Sequence, residues 1–347
     1  MNYKILGTRT GLPVSEFALG TAMFGQAWGY GAAAAEIDRI IGYYTDHGGN
    51  LIDTADTYQS GQSEEYIGKA IATRRNELVI ATKYTRGVGQ SSALGNLGNH
   101  RKSMVQAVED SLKRLKTDRI DLYFVHMDDL FTPVDEIVRG LDDLVRAGKI
   151  VYGGMSNFPA WRIATAATIA ELRGWAAVAA IEVEYSLLQR TTERELLPMA
   201  EAYGLGVLAW SPLAGGLLTG KYRKGESGRA TALKGSIPYE GDAIAEAVLD
   251  ELIAIAASIG TEPGSVALAW LKSKGVIPVL GPRTLEQLES NLKAADVQLT
   301  AAQVKRLDDA SAAPLGYPHD LNHAAEQRQA LTGGRLDKIQ QPSRVVL

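Results

Sequence analysis

The chain alternates short β-rich apolar runs with longer amphipathic stretches, and this rhythm limits its fold more than any single motif. Strand-like runs fall at residues 17–20, 50–54, 78–82, 120–125, 150–154, 178–182, 207–210 and 276–280. Between them the apolar spacing becomes helical. Over 100–116, Met104, Val108, Leu112 and Leu115 share one helical face. Over 133–147, Val134, Ile137, Val138, Leu141, Leu144 and Val145 do the same, with Pro133 suited to a first turn and Gly148 to a C-terminal cap. The strand runs are mostly apolar throughout instead of alternating, as parallel strands covered by helices require. Eight strands, most followed by a helix, predict an α/β fold: a (β/α)8 TIM barrel over about residues 17–311. The competing doubly wound sheet would carry G-x-G-x-x-G after an early strand if it bound a dinucleotide, and none stands there.

Residues 3–6 and 14–17 predict an N-terminal β-hairpin. The stretch 214–241, rich in glycine and charge, predicts a long loop after the seventh strand, and residues 312–347 a tail outside the barrel. With no repeat or boundary in view, the expectation is one domain, 1–347. At 46% hydrophobic the chain can fill a large core, and its net charge of −4 offers no basic excess for nucleic acid. It has no cysteine, hence no disulfide, no thiol nucleophile and no sulfur-ligated zinc. No run of membrane length or signal-peptide type is present, so a cytoplasmic protein without a membrane partner is expected. His47, His100, His126, His319 and His323 do not form a ligand set, and no metal is expected. Gly215 to Lys221 fits the first part of a phosphate-binding P-loop, but Tyr222 stands where the magnesium-binding Ser or Thr would.

Three predicted strands end in ionisable side chains: Asp53, Lys83 and His126. Tyr58 lies in the loop just after Asp53. In a (β/α)8 barrel the strand C-termini form the reactive face. A lone buried ammonium is costly, so Lys83 needs a carboxylate, and Asp53 is the natural one. An ammonium beside a phenol favours the phenolate, which predicts a lowered pKa for Tyr58 and a better acid near neutral pH. The imidazole of His126 can orient or polarise a carbonyl oxygen. The bland alternative is a structural Lys–Asp pair, a core histidine and a rim tyrosine. Finding all four in barrel register favours the chemical reading.

The local wording narrows this further. Gly20-Thr-Ala-Met-Phe24, Asn50-Leu-Ile-Asp-Thr-Ala-Asp-Thr-Tyr58 with Ser63-Glu-Glu, and Ile80-Ala-Thr-Lys83 resemble the aldo-keto reductases. So do the run from Ser111 to His126, Gly153-Gly-Met-Ser-Asn-Phe158, Glu184-Tyr-Ser-Leu-Leu188 and Trp210-Ser-Pro-Leu-Ala-Gly215. The resemblance runs in order from about residue 3 to about residue 311. It implies a barrel that binds a nicotinamide dinucleotide without a Rossmann fold, with reversible hydride transfer to an aldehyde or ketone, or from an alcohol or sugar. It implies Tyr58 as general acid, Lys83 and Asp53 as its tuning pair, and His126 as the carbonyl-orienting group. It implies Ser156, Asn157 and Glu182 at the carboxamide, Trp210 stacked on the nicotinamide, and Ser211, Leu213 and Gly215 along the pyrophosphate, with Lys221 beyond. Gly281, Arg283, Gln287 and Asn291 would hold the adenosine 2′-phosphate and adenine, favouring NADP(H) over NAD(H).

Some positions depart from that pattern. Glu182 stands where the family usually carries Gln, adding negative charge near a ring that is cationic when oxidised. Gln287 replaces a basic residue found in some members, which counts against NADP(H). After His126 the chain reads Met127-Asp128-Asp129, and Asp128 either makes the pocket more polar or points to solvent. Met23, Phe24, Trp28, Tyr84, Met127 and Asp128 are expected around the carbonyl. In the long loop Lys221, Arg223, Lys224, Arg229 and Lys234, against Glu226 and Glu240, either close over the pyrophosphate or stand in solvent. The alternative function is a cofactor-sensing regulatory subunit with slow turnover, and the sequence leaves the oligomeric state open.

Overall fold

The computed structural model describes residues 1–89, 92–226, 228, 232 and 242–340. The chain opens with the antiparallel hairpin β1 (Tyr3–Ile5) and β2 (Pro13–Ser15). Eight parallel strands then close into a barrel. They are β3 (Ala18–Gly20), β4 (Leu51–Asp53), β5 (Val79–Tyr84), β6 (Ile120–Val125), β7 (Ile150–Ser156), β8 (Val178–Glu184), β9 (Gly206–Trp210) and β10 (Ile277–Leu280). The ring is completed by β3 against β10, with Ala18 opposite Val279 and Leu19 opposite Leu280. All eight predicted strands are present, and β5, β7 and β8 run two residues further than predicted.

The two-residue period of a strand sorts the side chains. Leu51, Ala81, Leu122, Phe124, Ala180, Leu208, Ile277 and Val279 point inward and pack on Leu6 and Val14 of the hairpin, which plugs the lower end. Ile52, Ile80, Tyr123, Val125, Ile181 and Ala209 face the surrounding helices. The interior is full: a Cβ on Gly154 would come within 2.5 Å of the Phe124 ring. One step above these layers, on the same inward parity, stand Asp53, Lys83, His126, Ser156, Glu182 and Trp210.

Helices Ala34–Asp46, Gln62–Ala70, Arg101–Leu115, Val134–Arg146, Ala160–Arg173 and Leu196–Tyr203 follow β3 to β8. Arg101–Leu115 buries the predicted stripe Met104, Val108, Leu112 and Leu115. Pro133 stands at the N-cap of Val134–Arg146, as its fixed φ allows. After β9 the predicted long loop begins instead as two 3-10 turns, Ala214–Thr219, kinked at left-handed Gly215 and Gly216, and Lys221–Lys224, bounded by left-handed Gly220 and Gly225. Its Arg229, Lys234 and Glu240 lie outside the described residues. Helices Ala243–Ile259 and Pro263–Ser273 precede β10, and Leu285–Leu292 follows it. Beyond Ala301–Ala310 the tail adds short helices at His319–His323 and Ala325–Thr332. The Arg194 guanidinium ties it back by donating to the Pro314 carbonyl at 2.7 Å.

Candidate active site

Lys83 is fully buried and its ammonium makes two hydrogen bonds and a further ion pair. Nζ lies 2.6 Å from Asp53 Oδ1, 2.9 Å from the Thr54 carbonyl and 3.2 Å from Glu182 Oε1. Asp53 comes from β4 and Glu182 from β8, so the lysine bridges the barrel mouth. Burial alone would lower the Lys83 pKa, but the charges of Asp53 and Glu182 outweigh it and hold the group above its ordinary value. Burial pushes Asp53 up against the pull of Lys83. Burial and then the Asp53 charge push Glu182 up to about 8. The sequence placed Glu182 at the mouth but missed its bond to Lys83. The inward parity of β8 carried that signal.

Tyr58 is half-buried above this group, with Lys83 Nζ 5.2 Å from its ring centroid. Its pKa departs from the expected direction. Lys83 does pull it down, but burial pushes it up more strongly, and Asp53 and Glu182 add to the upward push. Tyr58 is therefore a firmly protonated phenol. His126 meets it edge-on, ring centroids 5.8 Å apart. Burial, then the charges of Lys83 and Arg86, lower His126 to about 3, so the ring is neutral near pH 7. Its Nδ1 is buried with no partner.

Gln59, directly after Tyr58, was not anticipated. It is buried at φ 49°, a left-handed conformation rare for a side chain of this kind. Its Oε1 accepts from the Trp28 N–H at 3.0 Å, and its Nε2 donates to the Ala22 and Tyr30 carbonyls, each at 3.1 Å. The loop carrying Trp28 is thereby pinned beside Tyr58, ring centroids 6.3 Å apart.

Across the mouth, Asn157 joins three strand ends. Its Nδ2 donates to the His126 carbonyl at 2.9 Å and to Ser156 Oγ at 3.0 Å, while its Oδ1 accepts from Trp210 Nε1 at 3.0 Å. Both amide protons are thus used internally, leaving Ser156 Oγ–H and a lone pair on Asn157 Oδ1 for a ligand. After Trp210 come Ser211 at φ 55°, Leu213 at φ −108° and Ala214 at φ 47°. Leu213 and Ala214 are successive residues of opposite backbone hand, the geometry that aims N–H groups at an anion, but the Ala214 and Gly216 N–H groups here already donate to the Ser211 and Leu213 carbonyls. Gly215 and Gly216 follow, and a Cβ on Gly216 would meet Lys221 Cε at 3.0 Å. Burial lowers the Lys221 pKa; Glu226 acts against that, and the charge of nearby Arg283 adds to it.

Arg283, after Gly281 at the end of β10, lies 4.7 Å over the Tyr30 ring, with its Nε buried and unpartnered. Two like-charged cations and an orphan guanidinium N–H fit an anionic dinucleotide. The helix N-terminus fits it less well than expected. Its Leu285 N–H already donates to Glu36 Oε1 at 2.5 Å, and Thr284 Oγ1 caps Gln287 N. Gln287 Oε1 accepts from the Arg283 N–H at 2.8 Å. Asn291 is half-buried one turn further on. Arg223 does not reach over the phosphate side; it is paired with Asp250 at 2.6 Å and with Glu246.

Other expectations are corrected. Tyr84 follows inward Lys83 and so points outward, stacked on Tyr123 with its hydroxyl donating to the Asn99 carbonyl. Phe24 is buried in the helix-side core. Asp128 neither lines the pocket nor faces solvent: Arg162 of the helix Ala160–Arg173 holds its Oδ1 at 2.8 Å. Among the described residues no group of three or more His, Asp or Glu is placed to hold a metal ion. No described helix is long and apolar enough to cross a membrane.

Residues 16–312 match the model of the aldo/keto reductase family, a span that contains every barrel strand and every strand-end residue above. The chain belongs to the aldo/keto reductase family of oxidoreductases. It is 38% identical over 91% of its length to the uncharacterized oxidoreductase YrpG of Bacillus subtilis, covering 98% of that protein. It is 35% identical to a norsolorinic acid reductase of Aspergillus flavus, over 91% of this chain and 82% of that one. It is 32% identical to a putative aryl-alcohol dehydrogenase of Saccharomyces cerevisiae, over 92% of this chain and 89% of that one.

Proposed function

We propose that the protein is an NADP(H)-dependent reductase of aldehydes and ketones, acting in reverse on alcohols, with Tyr58 as the general acid. The observation that carries this is the fully buried Lys83, held by two carboxyl groups beneath the Tyr58 ring with His126 edge-on beside it. The bound nicotinamide supplies the hydride in reduction and accepts it in oxidation. Tyr58 Oη holds the proton and releases it to the oxygen of the reduced carbonyl. Lys83, fixed by Asp53, Glu182 and the Thr54 carbonyl, stabilises the phenolate left behind. Neutral His126 has one ring N–H with which to aim the carbonyl oxygen. Ser156, Asn157 and Trp210 orient the carboxamide and ring. Ser211, Leu213, Gly215 and Lys221 take the pyrophosphate, and Arg283 with Gln287 and Asn291 takes the adenosine end. Arg283 favours NADP(H) over NAD(H).

The substrate is a small molecule, and its class is an aromatic carbonyl or alcohol. Trp28 is 42% exposed beside Tyr58, and Met127 is 37% exposed after His126. Such apolar faces suit a flat ring. A norsolorinic acid reductase and a putative aryl-alcohol dehydrogenase among the relatives support the same class. The chain would work as one domain in the cytoplasm. The test is NADPH oxidation with aryl aldehydes. Tyr58→Phe should lose about 10²- to 10⁴-fold in rate while NADPH still quenches tryptophan fluorescence. Wild-type activity in that variant refutes the role of Tyr58.

A further inference from the structure

We infer that Glu182 is a proton-holding residue of this site: a proton shared between its carboxyl and that of Asp53 makes the buried group around Lys83 neutral, and its release turns that group into a net anion at the mouth.

Asp53 and Glu182 are each 2% exposed, Lys83 is 0% exposed, and both carboxyls contact the same Nζ. Two carboxylates against one ammonium leave one uncompensated negative charge away from water. A buried group in that position takes up a proton instead of bearing the cost. Glu182 Oε2 is also buried without a donor. Both carboxyls meet the same Lys83 Nζ, which sets Asp53 beside Glu182 as the acceptor for its proton. Burial, then the Asp53 charge, raise Glu182 to about 8 against the pull of Lys83.

The surroundings contain few other titratable groups. Facing Glu182 across the mouth are Asp53 of β4, Lys83 of β5 and Tyr58, with His126 at the end of β6. Its strand neighbours in register are Ser156 and Leu208, which carry no charge. When the proton leaves to solvent, the added negative charge acts on Tyr58 by disfavouring its phenolate. By the same sign it favours a cationic ring over a neutral one at the carboxamide side. That second consequence rests on the NADP(H) reading above.

The test uses the cofactor-free full chain. Infrared titration should show a buried carboxylic-acid C=O stretch at about pH 7 that is lost by about pH 9, since Glu182 titrates near 8. Glu182→Gln should lack the band. No band in wild type, or the same band in the variant, overturns the inference. Should the Gln variant not fold, Asp53→Asn serves instead. One carboxylate against Lys83 needs no proton, so the band should disappear, and its persistence is equally fatal. In a second arm, fluorescence titration measures NADP+ and NADPH affinities. Their ratio should move about tenfold toward NADP+ from pH 7 to 9 in wild type and stay flat in Glu182→Gln. A flat wild-type ratio overturns the redox consequence. Binding of neither form overturns the cofactor reading instead and leaves the infrared result to decide Glu182.

Discussion

Replacing Lys83 with methionine keeps most of the side-chain volume and removes the charge that Asp53 and Glu182 share. The cost should depend on pH, and the structure gives its sign and size. Carboxyls whose folded pKa lies above the unfolded value of about 4 lend stability below that value and lose it as pH climbs through the folded pKa. In the wild type one such proton is held, with Glu182 at about 8. In Lys83→Met the attraction that lowers both carboxyls is gone, so both stay protonated in the folded state. One extra proton bound on folding steepens the decline by about 1.4 kcal/mol per pH unit. Loss of the lysine's hydrogen bonds should cost about 2 kcal/mol at pH 5.5, and the extra slope should bring the penalty to about 5 kcal/mol at pH 7.5. Urea unfolding at pH 5.5, 6.5 and 7.5, followed by tryptophan fluorescence with unchanged m, measures this. A penalty constant within about 0.5 kcal/mol across that window would refute the electrostatic account of the group.

Further outcomes are expected. With its pKa at about 3, the His126 ring should show no NMR titration above about pH 5. This depressed group costs stability as pH falls below its unfolded value, so His126→Asn should gain relative to wild type between about pH 6.5 and 4.5. Arg283→Ala should weaken NADPH binding at least about tenfold and leave NADH unchanged; equal losses in equilibrium titrations would exclude a 2′-phosphate at Arg283. Gln59→Ala should cost about 2 kcal/mol in urea unfolding and raise KM for aryl aldehydes with little change in kcat, because Trp28 loses its anchor. A kcat loss with unchanged KM would show that Gln59 acts on Tyr58 instead.

The strands were legible because apolar runs of this length, punctuated by helical periodicity, have few other uses. Asp53, Lys83 and His126 were legible as ionisable side chains at the ends of such runs. Tyr84 was misplaced although the information was present: once Lys83 points inward, its neighbour must point outward. Other features come from pairings far apart in the chain, which local spacing does not encode. Arg162 on Asp128 and Glu36 on Leu285 are of this kind. The direction of the Tyr58 pKa was missed because Lys83 was weighed alone, without the depth of the phenol or the second carboxylate.

The pairing of β3 with β10 has a consequence for the making of the protein. The first barrel strand, β3, finds its outer neighbour only once the chain through Leu280 has been synthesised. Until then the growing sheet has two open edges, with unpaired N–H and C=O groups that invite other chains. Lys4, which donates to the Gly275 carbonyl, fastens the same seam at the plugged end. A nascent chain released before Leu280 therefore cannot close, however well its first seven strands are formed. Ring closure between distant segments should set the pace of folding, and shorter fragments should aggregate where the full chain stays monodisperse.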